Sequence, residues 1–299
     1  MDIALIGVPI TYGCSLDGAQ YGPSKLRENK IIDLIKENGH TAYDLGDAPV
    51  PVVPKEEKYN GHKNIKYLYP VTEINTNLAH KVYCSLKGNS FPLTIGGDHC
   101  MAIGSIAGAS KHFNEMAVIW IDAHTDINTH ETSPSGNPHG MPLSASLGEG
   151  HENFTNLYYN GQKVKPENVY IIGARSIDKG EIDLAKKLNL ALYTMKTVKE
   201  RGLESILEEI IKNIKSSNVD GVHLSFDIDV MHSSLVPGTG TPEPNGFTLD
   251  EGKFTIEKLL KERFVTSMDF VELNPTLDDE SETTVKTCME ILDHTFKYL

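Results

Sequence analysis

The chain has 299 residues, of which 39% are hydrophobic and 23% charged, the make-up of a soluble globular protein with a substantial core. Its formal net charge of −13 argues against a nucleic-acid partner, since phosphate binding needs a basic face, and suits a cationic small molecule. No apolar run approaches the ~18 residues of a membrane span, residues 3–10 lack a basic flank and carry Gly7 and Pro9, and Cys14, Cys84, Cys100 and Cys288 lack C-x-x-C spacing, so a cytoplasmic protein without membrane, disulfide or structural zinc is expected.

Eight apolar runs predict strands at about 2–8, 41–46, 91–96, 117–122, 169–174, 191–195, 221–227 and 266–272. Between them lie segments of helical spacing. Pro23-Ser-Lys-Leu-Arg27 opens one helix, Pro being tolerated in a first turn. Leu203, Ile206, Leu207, Ile210, Ile211 and Ile214 form the clearest amphipathic stripe, and 101–112, 179–189, 249–262 and 281–297 complete the set. Alternation of strand and helix predicts an α/β fold: a single three-layer α/β/α domain over 1–299 around a mainly parallel eight-stranded sheet. Residues 127–150 read as one long loop without structure of its own, a length that is more often functional than idle.

In parallel sheets ligands bind beyond the carboxyl ends of the strands, and the unusual residues here all follow strands. Asp122, His124 and Asp126 stand at every second position after Ala117–Ile121; on an extended segment they would project to one side. Gly96-Gly-Asp-His99 follows another strand, its glycines allowing a sharp turn that brings His99 inward. Asp227-Ile-Asp229 and Glu272 follow two more. Burying such carboxylates at apolar strand ends is costly without a cation. His99, Asp122, His124, Asp126, Asp227 and Asp229 make two imidazoles and four carboxylates, enough for two divalent ions. With no thiolate and mostly oxygen donors, Mn2+ is favoured on ligand hardness, with Co2+ or other divalent metals as substitutes. Two such ions can share a water and ionise it near neutral pH, which points to hydrolysis. His223 is expected to be a hydrogen-bonded core residue, Cys100 a small buried hydrophobe, and His130 and His232 bystanders.

Gly96-Gly-Asp-His-Cys100, Asp122-Ala-His-Thr-Asp126 and Ser225-Phe-Asp-Ile-Asp229 resemble the three metal motifs of the ureohydrolase superfamily, which contains arginase, agmatinase and formimidoylglutamase. The resemblance runs from Gly7-Val-Pro9 to Val271-Glu-Leu-Asn-Pro275. It implies the three-layer fold, two Mn2+ per subunit and hydrolysis of a guanidino group to urea. The loop Asn128 to Gly140 is similar to the arginase pattern, in which positions matching Asn128, Ser135 and Asn137 hold a substrate α-carboxylate. Neutral amide and hydroxyl donors suit that group.

The resemblance therefore implies hydrolysis of L-arginine to L-ornithine and urea by a metal-bridging hydroxide. Agmatine, or another guanidino or formimino compound, is the alternative, and Pro237–Pro244 is closer to agmatinase wording. By the same likeness His139 matches a proton shuttle, and Glu272 pairs with the guanidinium. Thr241 lines the pocket, Asp178 and Glu181 receive the α-amino group, and Asp126 bridges the metals and accepts the proton of the hydroxide. The family also implies a homo-oligomer, trimer or hexamer. Ser176, and Val230-Met-His-Ser233 after Asp229, depart from the usual pattern.

Overall fold

The computed structural model describes residues 1–299. Eight strands form one sheet: β1 (Asp2–Val8), β2 (Thr41–Asp47), β3 (Phe91–Gly96), β4 (Met116–Ile121), β5 (Val169–Ile172), β6 (Ala191–Tyr193), β7 (Gly221–Asp227) and β8 (Val265–Val271). Their spatial order is β2-β1-β3-β8-β7-β4-β5-β6, and every pairing is parallel. β4 explains why the central strands read as unbroken apolar runs. Its Ala117, Ile119 and Ile121 enter one core with Ile206, Leu207 and Ile210. Val118 and Trp120 enter the other with Leu78 and Ile106. Both faces of the sheet are covered, so both alternating sets of side chains must be apolar.

The helices are α1 (Gly22–Glu28), α2 (Ile31–Glu37), α3 (Leu68–Lys87), α4 (Ala102–Ser110), α5 (Pro142–Ser146), α6 (Glu152–Thr155), α7 (Lys179–Leu188), α8 (Met195–Arg201), α9 (Leu203–Ser216), α10 (Leu249–Leu260) and α11 (Thr283–Tyr298). α2, α9, α10 and α11 pack on one face; α3 to α7 pack on the other. No helix is long and apolar enough to cross a membrane. All four cysteines are free.

The helix set expected from spacing is incomplete. α3, at 20 residues the longest, is absent from it, as are α2, α5, α6 and α8. The buried stripe Val71, Ile74, Leu78 and Val82 has helical spacing, but Thr72, Asn75 and Thr76 break into it with poor helix formers. Packing overrides them: Asn75 is buried, donating to Val71 O at 2.9 Å and accepting from Gly104 N of α4 at 2.7 Å. The 127–150 loop is likewise not structureless, since it contains a 3-10 turn at Pro138–Gly140 and α5.

The order of the strands positions the site. β7 and β8 insert between β3 and β4, making the four motif-bearing strands neighbours. Ile95, Phe270, Phe226 and Ile121 lie in one register row. The residues that follow them therefore emerge together on one rim.

Candidate metal centre and active site

Each motif is shaped by a local turn. β4 ends at Ile121, so Asp122, His124 and Asp126 do not sit on an extended strand. The chain bends, with His124 N donating to Asp122 Oδ1 at 2.6 Å and Ala123 N to Asp229 Oδ1 at 3.1 Å. Asp126 lies in the left-handed region at φ 51° and Glu272 at φ 70°, a conformation that non-glycine residues hold only where surrounding structure imposes it. The Gly96-Gly97 turn also has a different cause from the one expected. Neither glycine has positive φ; a Cβ on Gly97 would stand 2.1 Å from Ile10 O. The second glycine is needed for close approach of two chains.

The expected ligands converge. His99, Asp122 and Asp227 form one group of ligand atoms, and Asp122, His124 and Asp229 a second. Asp122 is common to both groups. Asp126 stands beside the first, its Oδ2 3.3 Å from His99 Nδ1. His99 Nδ1 also lies 3.1 Å from Asp122 Oδ2 and 3.0 Å from Asp227 Oδ2. It is buried and makes no hydrogen bond, whereas its Nε2 is engaged by Ser225 Oγ at 2.8 Å. His124 Nδ1 lies 3.1 Å from Asp229 Oδ2 and 3.4 Å from Asp122 Oδ1.

An orphaned imidazole nitrogen aimed at three carboxylate oxygens is the donor geometry of a cation site, and its other nitrogen is oriented as metal-binding histidines usually are. The electrostatics agree. Burial disfavours the His99 cation, yet Asp122 and Asp227 outweigh it and hold the imidazole well above its usual range. Burial is likewise outweighed at His124, by Asp229 and Asp122. Burial, then the charge of a neighbouring carboxylate, pushes Asp126 and Asp227 well up. These shifts show how strongly the cluster calls for positive charge.

Beside this cluster is a cavity of about 120 Å³ lined by no hydrophobic residue. Asp126, His139, Glu272, Asn128, Ser135, Asn137, Asp178, Glu181, Thr241 and Ser176 all reach it. Glu272 accepts from His99 N at 2.7 Å and has Oε1 3.7 Å from His139 Nδ1. Thr241 donates to Asp229 Oδ2 at 2.9 Å. Asn128 donates to Asp178 Oδ2 at 2.9 Å. Glu181 is buried at the start of α7, accepting from Asp178 N at 2.8 Å and Ile127 N at 3.2 Å. Both its oxygens thus cap backbone amides, while Asp178 is held between Asn128 and the first turn of α7. Burial raises the pKa of the Glu181 carboxyl.

The supporting residues were not legible as such. Trp120, the only tryptophan, stacks on His99 at 4.1 Å and donates to Asp122 Oδ2 at 2.9 Å; its singularity was the only signal. Asp98 accepts from Gly13 N at 2.9 Å, and Gly13 O accepts from His139 N at 3.1 Å. Arg175 gathers six backbone carbonyls behind Asp229. His223 is the buried structural residue expected, bonded to Ser267 Oγ at 2.9 Å and Asp269 Oδ2 at 3.0 Å. Cys100 is fully buried in the core. Neither His130 nor His232 lines the cavity.

A parallel α/β sheet whose central strand ends deliver a buried His/Asp cluster of this kind defines an α/β metalloenzyme. The profile of the Arginase family matches residues 1–297, and the chain belongs to that family. It is 43% identical over 291 residues to the arginase of Bacillus subtilis strain 168, covering 97% of this chain and 96% of that one. The structure of arginase from Bacillus caldovelox superposes with a TM-score of 0.94 at 40% identity, over 98% of this chain and 97% of that one. Entamoeba histolytica arginase, solved in complex with L-ornithine, matches with a TM-score of 0.89 at 31% identity, over 99% and 98%.

Proposed function

We propose that this protein hydrolyses L-arginine to L-ornithine and urea at a centre of two Mn2+ ions held by His99, Asp122, His124, Asp126, Asp227 and Asp229. The observation that carries this reading is the pair of groups sharing Asp122 that could hold two ions, set beside a slot lined by no hydrophobic residue, in a chain about 40% identical to curated arginases. When bound, the ion pair supplies a water ionised near neutral pH and a Lewis acid for the substrate.

The side chains do the rest. Asn128, Ser135 and Asn137 offer neutral donors to the α-carboxylate. Asp178 accepts the α-ammonium, with Glu181 holding it in place through the amide of Asp178. Glu272 presents an acceptor to the guanidinium fork, and Thr241 steadies Asp229. Asp126 takes a proton from the attacking water, and His139, beside Glu272, delivers one to the leaving nitrogen. Residues 1–299 are read as one domain, acting in the cytoplasm as a homo-oligomer, trimer or hexamer; the free cysteines and the acidic surface agree with a reducing, non-membrane setting.

The test is urea release from arginine and agmatine after loading the metal-free protein with Mn2+. Arginine should be the better substrate by kcat/KM. Faster turnover of agmatine would replace the substrate assignment, and activity without any bound metal would remove the mechanism.

A further inference from the structure

Lys66 is only 6% exposed. Its ammonium donates to Asn137 Oδ1 and, at 3.1 Å, to Ser15 Oγ. It forms no ion pair, and the nearby Lys58 opposes its charge. Burial, with Lys58, lowers its pKa. A buried ammonium without a carboxylate is costly.

The surroundings show what the charge serves. Lys66 N donates to Gly136 O at 2.9 Å, docking its segment against the loop that carries Asn137. Asn137 Oδ1 accepts from both Lys66 and Ser15, the latter at 3.2 Å. The ammonium can only donate, so it holds the Oδ1 end of the amide toward itself, whereas Ser15 Oγ is within reach of both ends. Its NH2 end stays toward Ser15 Oγ at 3.0 Å and His139 Nε2 at 3.5 Å. Asn137 lines the cavity, whereas Lys66 lies behind it. An amide polarised through its oxygen by an ammonium is a stronger donor at its nitrogen.

We propose that Lys66 is a positioning residue for substrate selection: it locks the Asn137 amide with NH2 toward the cavity and supplies the positive charge that a substrate carboxylate neutralises. The ligand class is an α-amino-acid guanidine rather than its decarboxylated amine. This rests on the arginine reading above and deepens it, because it names a residue that decides between the two substrates.

The experiment is steady-state urea release by the full-length, Mn2+-loaded protein and its Lys66→Met and Lys66→Arg variants, with arginine and agmatine. Loss of a charge-assisted contact should raise KM for arginine about 10- to 100-fold in Lys66→Met while kcat falls much less. The loss in kcat/KM for agmatine should be about threefold or smaller. Lys66→Arg, which keeps charge and donors, should recover part of the arginine KM. Bound Mn2+ and thermal midpoint, measured alongside, show whether the variants fold. An equal loss for both substrates, or an unchanged arginine KM in a folded Lys66→Met protein, overturns the proposal. Failure of the unmodified protein to release urea from arginine would instead overturn the substrate reading on which it rests.

Discussion

Arg175 offers the sharpest test of how the metal-binding turn is held. Its Nε donates to Pro244 O at 2.8 Å, and its Nη2 to Asp229 O at 2.7 Å, Glu243 O at 3.0 Å and Met231 O at 3.1 Å. Nη1 reaches Val230 O at 3.2 Å and Gly173 O at 3.3 Å. One planar cation therefore ties the turn after β7, which carries Asp229, to the loop at 243–244 and to the end of β5. Methionine of similar length removes every donor. Hydrogen bonds to a charged group contribute about 1.5–3 kcal/mol each, but six carbonyls share five N–H groups and some will find water. Two bonds' worth, about 3–6 kcal/mol, is the expected loss for Arg175→Met. An unfolding entropy of ~2.1 cal/mol/K per residue over 299 residues converts this to a fall in Tm of about 5–10 °C. Calorimetry of Mn2+-loaded protein measures that fall, and elemental analysis should show reduced metal occupancy, because Asp229 loses its backbone anchor. Arg175→Lys, with three donors in place of five, should recover part of both. An Arg175→Met protein with unchanged Tm and a full metal complement would refute the reasoning.

Asp126→Asn should abolish urea release by at least about 100-fold, since an amide cannot accept the water proton; retained activity would remove Asp126 from the chemistry. Asn137→Ala should raise KM for arginine about 10-fold or more and affect agmatine less, and unchanged arginine kinetics would remove the loop from recognition. In the metal-free protein the pKa values of His99 and His124 are raised by their carboxylate neighbours against burial, and those of Asp126 and Asp227 by burial and adjacent carboxylates. A raised folded-state pKa gives stability that is present below the unfolded value and lost as pH climbs through the folded one. Chelated protein should therefore lose Tm as pH rises above about 6.5, the unfolded imidazole value, while bound cations replace the missing protons. The Tm difference between Mn2+-loaded and chelated samples should widen between about pH 6 and pH 9; a difference that narrows would contradict the site's charge balance.

The ligands themselves were legible because their chemistry is local. A carboxylate or imidazole directly after an apolar run must lie at a strand end, whatever else the chain does, and His99, Asp122, His124, Asp227 and Asp229, singled out on that ground, converge in two groups that could hold a cation. The loop Asn128 to Gly140 could be picked out by its donors and its place after β4. Less local features failed. α3 was missed because its polar interruptions are satisfied only by packing, with Asn75 bonded to α4. Sequence spacing likewise could not show that Asp122 stands between the two groups. Arg175 lies within a segment whose residues were compared with substrate contacts, yet its partners at 229–231 and 243–244 are distant in sequence.

Sequence by itself determined the alternation of strand and helix, the burial of both sheet faces and the placing of His99, Asp122, Asp227 and Asp229 at or just beyond strand ends, since each follows from neighbours a few residues away. Tertiary structure alone decided that β7 and β8 slot between β3 and β4, bringing four separate rims to one point. It also decided that Asp126 and Glu272 are held at positive φ and that Lys66 is buried behind Asn137. Strand order depends on long-range backbone pairing and on which helix faces can cover which strands, and those free energies belong to no single segment.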